Sequence, residues 1–211
     1  MIDPTAYVLF LGASLVLLLT PGPAVLYIVA RSVEQGRLGG LVSVLGVGLG
    51  NFAHVVAAAV GVSALIAASA FAFSILKYLG AAYLIWLGIR TLRAQVAPVT
   101  LKIEGKPLRR LFSEGAVVAA LNPKTALFFL AFLPQFISPA AGAVWLQILL
   151  LGCSFVLLGL ATDGLYALAA GSLRDLFRNS VRVLKTQKLV SGTVYIGLGL
   201  MTALAGNQNG K

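Results

Sequence analysis

Leu18-Leu19-Thr20-Pro21-Gly22-Pro23 lies in the middle of the first long apolar run of the chain. Two prolines and a glycine interrupt a helix, because each proline lacks an amide donor and clashes with the carbonyl four residues earlier. The surrounding run, roughly Tyr7 to Ala30, has the ~20 apolar residues that a membrane-spanning helix needs. The interruption therefore falls at membrane depth. Unpaired backbone is costly in hydrocarbon, so such a break is tolerated only where protein buries it or where it lines a polar cavity. We read it as half of a binding site.

The rest of the sequence agrees with a membrane setting. Of 211 residues, 59% are hydrophobic and only 10% are charged, with a mean hydropathy of +0.97. A soluble domain needs far more charge on its surface. Six apolar segments are long enough to span a bilayer: Tyr7 to Ala30, Leu41 to Ala68, Phe73 to Leu92, Phe112 to Phe136, Val144 to Ala170 and Leu189 to Ala205. Their connections are short. The expected fold is an all-α integral membrane protein of six transmembrane helices, forming one transmembrane domain over residues 1–211.

A net charge of +10 raises nucleic-acid binding in a soluble protein, but its placement here argues for a membrane and against nucleic acid. Arg31 and Arg37 follow the first span. Arg90, Arg93, Lys102, Lys106, Arg109 and Arg110 follow the third, and Arg174, Arg178, Arg182, Lys185 and Lys188 the fifth. Thirteen of the sixteen basic residues thus share one side, which the positive-inside rule makes cytoplasmic. Both termini are expected outside. Asp3 and the lack of a basic cluster near the start argue against a cleavable signal peptide, so the first helix is expected to be retained. Segment 173–188 alternates Leu173, Leu176, Phe177, Val181 and Leu184 with its basic residues, as a helix lying on anionic headgroups of the inner surface does. The lone Cys153 reads as a small buried hydrophobe.

A second break signal, Asn122-Pro123-Lys124, lies about eleven residues into the fourth span. Gly80-Ala81-Ala82-Tyr83 in the third span is matched by Gly192-Thr193-Val194-Tyr195 in the sixth. Together these set the first three helices (about 5–93) against the last three (about 111–206), joined by a cytoplasmic loop at about 94–110. Three is odd, so the second half crosses in the opposite sense. A 3+3 inverted repeat with interrupted first and fourth helices is the arrangement in which transporters place substrate.

At each break amide donors are freed at the start of one half-helix and carbonyls at the end of the other. Donors attract a carboxylate and carbonyls an ammonium group, so a zwitterion suits the pair. Thr20 adds a hydroxyl, Gly22 permits close approach, Asn122 both donates and accepts, and Lys124 brings a formal charge. A lysine at mid-membrane costs about 3 kcal/mol. Two readings account for it: Lys124 pairs with Asp163 or with carbonyls freed at the breaks, or it binds a substrate carboxylate or exchanges a proton. Asn51 and His54 share one face of the second helix, and Asp163 is the carboxylate deepest in an apolar run. Each is a candidate for proton coupling or polar lining, or for a structural hydrogen bond. Gly46 and Gly50 form a GxxxG pair suited to an internal or a homodimer contact.

Leu19-Thr20-Pro21-Gly22-Pro23, Lys77 to Leu84, Asn122-Pro123-Lys124 and Phe132-Leu133-Pro134-Gln135-Phe136, in that order, resemble the lysine exporter family of amino-acid efflux transporters. Within it the chain is more similar to the homoserine and threonine exporter branch, with which His54 also agrees. The resemblance implies a six-helix exporter of amino acids in a bacterial cytoplasmic (inner) membrane, driven by proton antiport. It implies a substrate site at Thr20, Pro21, Gly22, Pro23, Asn122, Pro123 and Lys124. Some relatives carry an acidic residue nearer the position of Leu158, so the resemblance does not assign coupling to Asp163. With no anionic subsite beside Lys124 and His54, neutral amino acids of homoserine, threonine or leucine type fit better than cationic ones. The alternative is export of another small zwitterion, a weak acid or a metal ion. His54 and Asp163 are too few for a metal site, no GxxxxGK[ST] loop is present, and one cysteine cannot run a membrane thiol carrier. We expect no enzyme activity, no cofactor and no resident metal.

Overall fold

The computed structural model describes residues 2–68 and 105–172, with isolated helical positions at 75, 78–79, 81–82, 85–86, 89–90, 92–93, 189, 193, 196–197, 200 and 203. Every regular element among the described residues is helical. The third and sixth expected spans, the surface helix at 173–188 and the Gly80/Gly192 match lie mostly or wholly outside them. The 3+3 repeat therefore stays an expectation.

Helix α1 spans Pro4–Leu19. It starts as its sequence predicts: Asp3 Oδ1 accepts the Thr5 N–H at 3.2 Å, and Pro4 occupies the first turn, where no amide donor is needed. At 1.5 Å per residue it reaches only ~24 Å, short of a ~30 Å hydrocarbon core. The first crossing must continue past the break at Thr20, whose backbone is extended (ψ 114°).

It continues into α2, Pro23–Ala68, which is helical throughout except at Gln35 (φ −121°, ψ 15°) and Gly36 (φ 73°). A straight helix would hold Ala24 and Val47 about 34 Å apart. Instead Ala24 and Ile28 share a packed cluster with Val44 and Val47, and a Cβ on Gly40 would collide with Ser32. Helix α2 is thus an antiparallel hairpin. The sequence suggests a polar turn from Arg31 to Gly36; the chain needs only its last two residues. Gly36 adopts a left-handed φ that a side chain would resist, so Arg31 and Glu34 remain helical and pair at 2.5 Å.

Helix α3, Leu108–Ala120, and helix α4, Pro123–Leu127, meet at a 42° bend. Beyond α4 the chain widens into a π-type turn at Phe128–Phe132 and tightens into a 3-10 turn at Leu133–Phe136. Pro134 has no amide for the carbonyl four residues earlier, so regular α geometry cannot continue there. Phe10, Phe128, Phe129, Phe132 and Phe155 fill the space around this irregular segment, with the Phe128 and Phe155 rings stacked at 5.3 Å. Helix α5, Val144–Ser172, is the longest uninterrupted element. It is long and apolar enough to cross a membrane, as is the stretch Pro23–Gly61 by length and composition alone, although the hairpin divides that stretch into two legs; the bent segment Leu108–Phe136 is a broken span or a re-entrant loop.

Glycines set how closely α2 and α3 approach. Cβ atoms on Gly46 and Gly50 would run into the carbonyls of Phe112 and Ala116, and one on Gly115 would come within 2.8 Å of Ser43 O. The GxxxG pair therefore builds an internal contact. Because backbone is the obstacle, Gly50→Ala is expected to destabilise the folded chain by about 2 kcal/mol, read as a lower unfolding temperature in detergent. Gly61→Ala, which meets nothing within 4 Å, serves as the control and should be near neutral.

The outside is apolar. Leu38, Leu41, Leu45, Leu49, Phe52, Val56 and Val60 are all exposed along one face of the second leg of α2, as a lipid-contacting surface requires. Cys153 corrects its sequence reading. It is exposed, one helical turn from exposed Leu150 and Leu157 on α5, because in lipid a small apolar group is equally well placed on the outer face.

Candidate functional site

The two breaks, a hundred residues apart in sequence, share one cavity. Gly22, Asn51, Asn122, Lys124, Thr125 and Asp163 supply its polar wall, and Leu17, Leu18 and Phe155 part of its apolar one. Its volume is about 20 Å³, room for a single water molecule. The site is closed.

Lys124 is placed by its own local sequence. Asn122 caps α4, its Oδ1 accepting the Lys124 N–H at 3.1 Å, and Pro123 takes the first helical position. The lysine side chain then reaches back to the end of α1, where Nζ donates to Leu17 O at 2.6 Å and Thr20 O at 2.5 Å. Lys124 is 5% exposed. Of the two roles open in the sequence, this geometry displays the structural one: Nζ rests on two carbonyls at the end of α1, of which Leu17 O also accepts the Thr20 N–H at 3.1 Å.

Other carbonyls at that break are satisfied too. Thr20 Oγ1 donates to Val16 O at 2.6 Å, and Tyr166 Oη donates to Leu19 O at 2.8 Å. The Thr20 hydroxyl is thus turned to its own helix, and its carbonyl is what meets the site. At the second break His54 Nε2 lies 3.0 Å from Ala119 O. A carbonyl can only accept, so Nε2 carries the proton. Each break therefore has a carbonyl held by a side chain from a helix remote in sequence. His54 is not part of the cavity wall, whereas its helical neighbour Asn51 is.

Asn51 is 5% exposed, and its Oδ1 has no hydrogen-bond partner among the described residues. Asp163, 4% exposed, lines the same cavity. Tyr166 is not evident from the sequence; it lies one turn beyond Asp163, a spacing that places both on the side of α5 facing α1.

A second polar cluster forms where the α2 turn meets the start of α3. Lys106 Nζ donates to both Glu114 oxygens at 2.8 and 3.0 Å, and Arg110 Nε donates to Oε1 at 3.0 Å. Tyr27 Oη donates to Leu111 O at 2.8 Å, and the Lys106 N–H to Gln35 Oε1 at 2.6 Å. Arg37 Nε donates to Ser172 Oγ at 3.0 Å on α5. An open cleft of about 440 Å³ beside it is bordered by Tyr27, Arg31, Ser113, Glu114, Val117 and Val118. Glu114 is a residue sequence reasoning passed over, although its position four after Arg110 signals a helical ion pair.

Apolar outer faces, two helix breaks closed on one another and a buried charged site between them are features of a membrane transporter. The family model described as LysE type translocator matches residues 15–206. The chain belongs to the LysE type translocator family. It is 31% identical over 205 residues to an uncharacterised membrane protein of Vibrio cholerae, covering 96% of this chain and 98% of that one. It is 32% identical over 197 residues to a homoserine/homoserine lactone efflux protein of Salmonella typhimurium, covering 93% and 95%, and 30% identical over 201 residues to an uncharacterised membrane protein of Pseudomonas aeruginosa. No solved structure matches the chain.

Proposed function

We propose that the chain is a secondary active exporter of neutral amino acids of homoserine, threonine or leucine type, working by alternating access in exchange for protons across the bacterial inner membrane. The observation that carries this is the single cavity shared by the two breaks, with Lys124 spanning from one to the other. Family membership and the Salmonella relative's efflux activity support the amino-acid class. In this reading the substrate site comprises Thr20, Pro21, Gly22, Pro23, Asn122, Pro123 and Lys124, and Asn51 and Asp163 line it. A substrate carboxylate is held at the amide end that starts α2, where Gly22, Ala24 and Val25 border the cavity. In this reading a cavity too small for substrate belongs to a state between inward and outward opening.

The test is efflux from dipeptide-loaded cells with all amino acids read out together. Cells with the chain should lose a few neutral amino acids several-fold faster than cells with an empty control. Equal rates for every amino acid would exclude this reading.

A further inference from the structure

We propose that the Leu17 and Thr20 carbonyls form the subsite for the substrate's ammonium group, and that Lys124 is a tethered ammonium that fills this subsite in the closed state and gives it up to the substrate. The proposal rests on the amino-acid efflux reading above and goes beyond it by assigning the ammonium end of the substrate and the occupant it must displace.

Four observations carry it. The Lys124 Nζ sits between two carbonyl oxygens at 2.6 and 2.5 Å, as a substrate ammonium on the same oxygens would. The adjoining cavity of about 20 Å³ admits one water and no amino acid, so no substrate reaches those oxygens while the lysine is there. The lysine stands at the second position of α4, directly after the 42° bend, on four methylene groups that let its charge move without the backbone. In the wall of the same cavity Asn51 Oδ1 is buried without a partner among the described residues, and the Asp163 carboxylate lines that space too. Lys124 thus has acceptors to turn to when it leaves the carbonyls.

The exchange keeps one positive charge at the end of α1 throughout, first the lysine's and then the substrate's. Negative helix-end charge is then never buried uncompensated. After release on the far side, Lys124 returns and closes the empty site.

The experiment uses the purified full chain in detergent, native and Lys124→Ala, with n-propylammonium, tetramethylammonium and the amino acids homoserine, threonine and leucine. Thermal unfolding is the readout. Removing the lysine stem opens a hole that propylammonium fills, so Lys124→Ala should gain about 5 °C at saturation. The native chain should gain nothing, and tetramethylammonium, which has no N–H, should act on neither. On Lys124→Ala the shift given by an exported amino acid should shrink when propylammonium is already bound. If Lys124→Ala does not fold alone, folded chain should be recovered when it is extracted in propylammonium and not in tetramethylammonium. The proposal is overturned by the absence of any propylammonium-specific stabilisation or recovery, by equal stabilisation of the native chain, or by additive shifts from propylammonium and the amino acid. An absence of export by the native chain in cells would instead reject the efflux reading, which the propylammonium result alone does not touch.

Discussion

Lys124→Ala is expected to reduce export to the level of cells without the protein while leaving the chain able to bind an exported amino acid. The two halves of that result have separate causes. Export fails because the return of the empty site depends on an ammonium at the Leu17 and Thr20 carbonyls. Without it, Leu17 O keeps only the Thr20 N–H at 3.1 Å and Thr20 O loses the ammonium it accepts from, and an unsatisfied buried acceptor costs about 1–3 kcal/mol. Binding persists because the substrate's own ammonium satisfies those oxygens. Lys124→Arg keeps the charge but should also lose export. A guanidinium is planar and larger than an ammonium, and the cavity has space for one water only. Export assayed in dipeptide-loaded cells, beside unfolding temperatures of purified protein with and without amino acid, separates the two halves. Export by Lys124→Ala at even a tenth of the native rate would contradict the role given to the lysine.

Much of this was legible in the sequence because proline leaves a fixed trace. Pro21, Pro23 and Pro123 cannot stand in the interior of a regular helix, and Asp3-Pro4 states a helix start. What could not be read was which partner each freed carbonyl takes. Tyr166 meeting Leu19, and His54 meeting Ala119, are contacts across 147 and 65 residues, and no periodicity encodes them. The hairpin at Gln35-Gly36 was legible as a turn, although its tightness depends on one glycine's φ. Burial of Cys153 was misjudged for a simpler reason. In lipid an apolar side chain is no worse off outside than inside, so hydrophobicity alone does not tell which way it faces.

Asp163→Asn and His54→Asn are expected to part company in a transport assay, although sequence alone makes both residues candidates for proton coupling. Asp163 lines the cavity that Lys124 occupies, so a proton gained or lost there acts directly on the ammonium exchanged with substrate. His54 holds Ala119 O at the other break and borders no part of that cavity. In proteoliposomes a pH gradient should drive amino-acid movement through the native chain and through His54→Asn, whose side-chain amide can still donate to the carbonyl. Asp163→Asn should lose gradient-driven movement about tenfold or more. It should keep exchange of labelled for unlabelled amino acid at equal pH, because exchange needs the site to open and close but no net proton transfer. Loss of exchange as well would mark Asp163 as part of the scaffold. Loss of gradient-driven movement in His54→Asn alone would move the coupling role to the second break, and with it the point at which protons act on the cycle.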